Sequence, residues 1–91
     1  MRILIVGGWK KADFIAKSLT DKKHELIIIH DDFEYCKWLS RKYNIPVICG
    51  DGSDPDILEE ANIKEFDIVL ALTPKDEDNL AICKIAKENF F

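Results

Sequence analysis

The chain has few of the residues that mark specialised classes. It holds three cysteines, four glycines, three prolines and one methionine in 91 residues. Cys36, Cys49 and Cys83 are odd in number, widely spaced and never arranged as C-x-x-C, so neither a disulfide framework nor a zinc site is expected. Free thiols, mostly buried, in a reducing cytoplasm fit that pattern. Long apolar runs are also missing. Stretches without a charged residue reach only about seven or eight positions, against the roughly 20 that span a bilayer. Lys10, Lys11 and Asp13 break up the N-terminus, so no secretory leader is expected. Excess positive charge is absent too. The net charge is −4 with both signs interspersed, which argues against nucleic acid and against a polybasic membrane anchor.

What remains is 47% hydrophobic and 33% charged residues, the composition of a globular domain rather than a disordered one. A chain this short forms one domain and buries roughly 60–65% of its unfolded surface. No repeat, low-complexity tract or linker interrupts it.

Apolar β-branched runs alternate with helical patterns, which predicts an α/β domain with a parallel sheet covered on both faces. Strands are expected at Arg2–Val6, Glu25–Ile29, Val47–Cys49 and Asp67–Leu72. Helices are expected at about Trp9–Thr20, Phe33–Tyr43, from Pro55, and Asp76–Asn89. Asp21-Lys22-Lys23-His24 reads as a polar connection. Asp31 or Asp32 caps the second helix, and Asn44 stops it. Asp54-Pro55 places an N-cap before a proline at the first helical position. The right-handed crossover rule orders the strands 3-2-1-4, with two helices on each face in three layers. A ligand should then sit between the first and fourth strands, outside their carboxyl ends. The run ends on Asn89-Phe90-Phe91 with no fifth strand. The fourth strand is therefore expected to be continued by later strands that are lacking here, or covered by a partner.

The opening strand leads into Gly7-Gly8 and then a helix, the start of a Rossmann-like unit. Against the fingerprint G-x-G-x-x-G/A, the segment reads Gly7, Gly8, Trp9, Lys10, Lys11, Ala12. The first glycine and the final alanine fit, but Trp9 stands where a glycine lets backbone approach a pyrophosphate. Trp9 either stacks on a base, plugs the pocket or enters a subunit contact. Lys10 and Lys11 have the wrong sign for a helix start, at about 0.3–1 kcal/mol each, unless an anion is bound there. Asp31, Asp32, Asp51, Asp54 and Asp56 all fall near the strands' carboxyl ends. Capping and turn formation account for Asp32, Asp51 and Asp54, so no metal site is expected. No Ser-His-Asp or Cys-His arrangement is readable, and a dehydrogenase needs a substrate domain for which there is no room. The chain is not expected to be an enzyme.

Three segments together are more specific. They are the altered glycine turn, Gly50-Asp51-Gly52-Ser53-Asp54-Pro55-Asp56-Ile57-Leu58, and Ala71-Leu72-Thr73-Pro74-Lys75-Asp76-Glu77-Asp78-Asn79-Leu80. The chain resembles, over its whole length, the nucleotide-binding N-lobe of regulator-of-potassium-conductance domains, including the Trk- and Ktr-type subunits of potassium uptake systems. The resemblance implies a cytoplasmic regulatory module, assembled as a homo- or hetero-oligomer beneath a membrane potassium channel or transporter. Nucleotide binding then gates ion flux by changing the ring's shape.

It also implies a site made of Gly7, Gly8, Trp9, Lys10, Lys11, Ala12, His30, Asp31, Gly50, Asp51 and Thr73. His30 falls where the family has an acidic residue holding the ribose hydroxyls, and Asp31 follows as a substitute. With the clamp so altered, AMP, ADP or ATP is expected ahead of NAD. Two alternatives accompany this reading. One is a nucleotide-free scaffold paired with a competent paralogue. The other is a cofactor-domain fragment of an NAD-dependent oxidoreductase.

Overall fold

The computed structural model describes residues 1–20 and 23–90. Expectations at Asp21, Lys22 and Phe91 lie outside them. Four strands form one parallel sheet: β1 (Arg2–Val6), β2 (Glu25–His30), β3 (Val47–Cys49) and β4 (Ile68–Ala71). Their order is β3-β2-β1-β4, as the crossover rule requires. β1 is the centre, with Leu4 beside Ile27 of β2 and Val69 of β4.

Four α-helices link and flank the strands: α1 (Lys10–Leu19), α2 (Phe33–Tyr43), α3 (Pro55–Glu60) and α4 (Asp76–Phe90). The strand alternation sorts side chains to two faces. Ile3, Ile5, Leu26 and Ile28 pack with Ala12 and Ala16 of α1 and Leu39 of α2. Leu4, Val6 and Ile29 pack with Leu58 of α3 and with Ile82 and Ala86 of α4. Each face thus buries one pair of helices.

Local chemistry sets the helix ends. Asp32 caps α2 by accepting from the Tyr35 N–H, and Asn44 closes it in the left-handed region at φ 52°. Asp54 caps α3 by accepting from the Asp56 N–H, with Pro55 at the first turn.

Several expectations shift. β2 runs one residue further, through His30, and β4 is shorter at both ends. Trp9 is not helical; it precedes α1 with φ −107° and ψ −88°. A 3-10 turn at Ile63–Glu65 separates α3 from β4 after Asn62 turns left-handed at φ 58°. Of the three thiols only Cys36 is buried. Cys49 ends the short edge strand β3 and Cys83 lies on the outer side of α4, so neither is covered by a second layer.

Candidate functional site

At the carboxyl ends of the strands the chain leaves β1 for α1 and β4 for α4 in opposite directions, which opens a crevice. A cleft of about 350 Å³ occupies it, toward the small end of the range for ligand pockets.

One wall is the turn after β1. Gly7 and Gly8 have φ of +74° and +86°, a region side chains enter at a steric penalty. The turn is also pressed against the β4–α4 loop. A Cβ on Gly7 would stand 2.8 Å from Thr73 Cγ2, and one on Gly8 3.0 Å from Leu72 Cβ. Beyond the turn, α1 begins with no side-chain cap.

The opposite wall is the turn after β3. Gly50, Asp51 and Gly52 line the cleft. Asp51 accepts from the Ser53 N–H at 2.9 Å and from its hydroxyl at 2.7 Å. The Ser53 hydroxyl, then its N–H, and then the charge of Lys75 hold the Asp51 carboxyl below its usual range. Gly52 sits directly on Val6, where a Cβ would come within 2.1 Å of Cγ1.

The third wall is the β4–α4 loop. Asn79 fastens it: Oδ1 accepts from the Thr73 N–H at 2.9 Å, and Nδ2 donates to the Thr73 carbonyl at 3.0 Å. Thr73, Pro74, Lys75 and Asp78 face the cleft from this loop.

At the end of β2, His30 is only 2% exposed. Its Nδ1 accepts from the Asp32 N–H at 3.0 Å, so the proton of the neutral ring resides on Nε2. The 3.7 Å approach of Nδ1 to the Asp31 carboxylate is therefore not a hydrogen bond. The Trp9 indole lies edge-to-face on His30, with ring centroids 4.6 Å apart at 81°. Tyr35 packs against both rings, and its hydroxyl donates to the Trp9 carbonyl. The indole is thus folded over β2 and α2 and borders the cleft.

Of the residues implicated by the sequence, Gly7, Gly8, Trp9, His30, Asp31, Gly50, Asp51 and Thr73 line the cleft together. Lys10, Lys11 and Ala12 do not. Both lysines are exposed, and Ala12 is fully buried. The sequence reading missed Gly52, Lys75 and Asp78. Their positions after strands 3 and 4 were the available signal, because those loops face the crevice. Asp32 and Asp54 are occupied as helix caps. Among the described residues no group of three or more His, Cys, Asp or Glu side chains is arranged to hold a metal ion.

The model of the TrkA-N domain matches residues 3–90. The chain belongs to the TrkA-N domain family. A Trk system potassium uptake protein TrkA homolog of Pyrococcus abyssi is 36% identical over 87 residues, and one of Methanothermobacter thermautotrophicus is 34% identical over 88. The Trk system potassium uptake protein TrkA of Vibrio alginolyticus is 31% identical over 86 residues, 94% of this chain. The chain spans 38%, 41% and 19% of those proteins.

Among solved structures, the GsuK channel bound to NAD matches 96% of this chain and 16% of its own, with a TM-score of 0.83 at 20% identity. Apo saccharopine dehydrogenase from Saccharomyces cerevisiae matches 97% of this chain and 20% of its own, with a TM-score of 0.81 at 17% identity. At such identities the likeness is one of fold. It shows that this TrkA-N domain is a Rossmann-like unit, a fold found in a channel and equally in a dehydrogenase.

Proposed function

We propose that this TrkA-N domain is a nucleotide-binding regulatory module of a potassium uptake system and not an enzyme. The cleft takes an adenine nucleotide. Its differential affinity for two arrangements of an oligomer shifts their populations and so gates a membrane potassium channel or transporter. The domain acts at the cytoplasmic face through that partner; among the described residues no helix is long and apolar enough to cross a membrane.

The observation that carries this reading is the shared wall of the Gly7-Gly8 turn and the Thr73 loop at the point where β1 and β4 run parallel. The expected preference for AMP, ADP or ATP over NAD gives way here. The GsuK relative carries NAD, and Trp9 is drawn aside onto His30 and Tyr35 rather than across the cleft. NAD is therefore the favoured ligand, with its adenosine in the cleft and its remainder over the open side.

Titration calorimetry with NAD, NADH, AMP and ATP on the purified chain tests this. Micromolar to millimolar binding of a dinucleotide is expected. No heat and no thermal shift with any of the four would refute the nucleotide reading.

One observation favours a second reading, a nucleotide-free scaffold. Trp9 occupies the second glycine position and its indole lies over His30, where the family's ribose-binding acid belongs. Trp9→Gly separates the two. Binding that appears only in the variant, with assembly unchanged, would favour the scaffold. Binding already present in the native chain would favour the regulator.

A further inference from the structure

We infer that the phosphates of the nucleotide are held by Lys75, from the β4–α4 loop, in place of the backbone platform that Trp9 has displaced from the glycine turn. This inference rests on the nucleotide-binding reading and adds to it the group that recognises the phosphates.

The charge pattern of the cleft leads to it. Three carboxylates face the cleft: Asp31, Asp51 and Asp78. Among the described lining residues Lys75 is the one side chain with a fixed positive charge. An anionic ligand entering this cleft is repelled by the carboxylates and attracted by that ammonium.

Sterics point the same way. In the G-x-G-x-x-G arrangement the second glycine brings the pyrophosphate against backbone. Here that residue is Trp9, whose Cβ crowds the approach that a glycine would leave open, while its indole is held to the side by two aromatic contacts. The phosphates must then sit further toward β4. The glycine turn is already in van der Waals contact with Leu72 and Thr73, so moving toward β4 means moving toward Lys75.

The loop is also prepared for a fixed contact. The Lys75 carbonyl accepts from the Thr73 hydroxyl at 3.0 Å, and Asn79 holds Thr73 through its backbone. The Lys75 backbone is therefore set before any ligand arrives. Its ammonium forms no ion pair among the described residues. It helps hold the Asp51 carboxyl ionised, and both residues line the cleft, from different loops.

The test is calorimetric titration of the 91-residue chain and its Lys75→Gln and Lys75→Arg variants with NAD and with adenosine, at low and at high sodium chloride. Lys75 is exposed, so both variants should fold. Lys75→Gln is expected to weaken NAD binding about three- to tenfold and flatten its salt dependence. It should leave adenosine binding unchanged, and Lys75→Arg should retain NAD binding. Native affinity for NAD in Lys75→Gln would overturn the inference and leave the nucleotide reading standing. Equal losses for adenosine and NAD would likewise overturn it, because the lysine would then be shaping the adenosine pocket. A native chain that binds neither compound would overturn both.

Discussion

Replacing Gly52 by alanine tests whether the floor of the cleft is built as described. The added Cβ would stand 2.1 Å from Val6 Cγ1 and 3.6 Å from Ile29 Cγ2. Carbon atoms in contact normally sit about 3.5–4.0 Å apart, so the overlap with Val6 approaches 1.5 Å. Val6 has nowhere to go. It is 1% exposed, lies on the central strand, and is paired with Ile29 on one side and Ala71 on the other. The turn after β3 must lift instead.

Overpacking of this kind costs about 1–3 kcal/mol, or roughly 5–20 °C in Tm for a domain of this size. Val6→Ala alone should cost a similar amount through lost burial and a small void. In Gly52→Ala/Val6→Ala the clash is gone and the new methyl enters the space that Val6 vacated. The double variant should therefore be more stable than the sum of the single losses, by about 1–2 kcal/mol. Urea unfolding of the four proteins followed by circular dichroism measures this, with equal m-values as the condition for comparison. Additivity within about 0.5 kcal/mol, or a Gly52→Ala protein with native stability, would refute the close approach of the β3–α3 turn to β1.

Three further outcomes are expected. Burial pushes the Cys36 thiol up to about 12 from an ordinary 9.0. Iodoacetamide at about pH 8.5 should therefore label Cys49 and Cys83 in the native chain and reach Cys36 only after unfolding, as read by peptide mass mapping. The same shift makes the unfolded thiol ionise first, so the stability linked to Cys36 declines between about pH 9 and 12. Asp13 accepts from the Tyr43 hydroxyl and from Lys42 at 3.1 Å; these contacts, with Tyr43 foremost, hold its carboxyl below the usual 3.8. Asp13→Asn should lower Tm at neutral pH, where the ionised form joins α1 to α2. The difference from the native chain should fade as pH falls below that value, and a difference that persisted at about pH 2 would contradict the assignment. Asn44 closes α2 at φ 52°. Asn44→Ala should cost about 1 kcal/mol in chemical denaturation, while Asn44→Gly stays within about 0.5 kcal/mol of native.

Strand order and layering were legible because they follow from patterning. An all-apolar run such as Leu26–Ile29 can only be a strand covered on both sides, and Asp54-Pro55 announces a helix whatever surrounds it. The cleft was legible where it depends on the same local signals: Gly7-Gly8, Gly50-Asp51 and Thr73 sit at strand ends. Lys75 and Asp78 follow a strand end too, but which side chains of that loop line the cleft depends on the press of the β4–α4 loop against the glycine turn. That contact joins residues more than 60 positions apart. The 3-10 turn at Ile63–Glu65 is too short to carry a period. The exposed thiols of Cys49 and Cys83 were misjudged because residue type gives average burial, whereas here position at a sheet edge and on an outer helix face decides it.

Trp9 and His30 depart from the fingerprint at positions 21 residues apart, yet they form one structural unit. A carboxylate at position 30 would lie at the end of β2 against the face of an indole, at a site now 2% exposed. Burying that charge without a compensating partner costs several kcal/mol. The neutral imidazole removes that penalty. Its Nδ1 accepts the Asp32 N–H, which steadies the entry to α2, and its ring meets the indole edge-to-face. Conversely, a glycine at position 9 would leave that ring uncovered on the cleft side and take away the wall on which Tyr35 closes. Each change makes the other tolerable. Trp9→Gly and His30→Asp should each lower Tm, and the double variant should lose less than the sum of the two. On the proposed reading, an aromatic wall stands where a ribose clamp would be, and recognition of charge falls to Lys75 on the far side of the cleft.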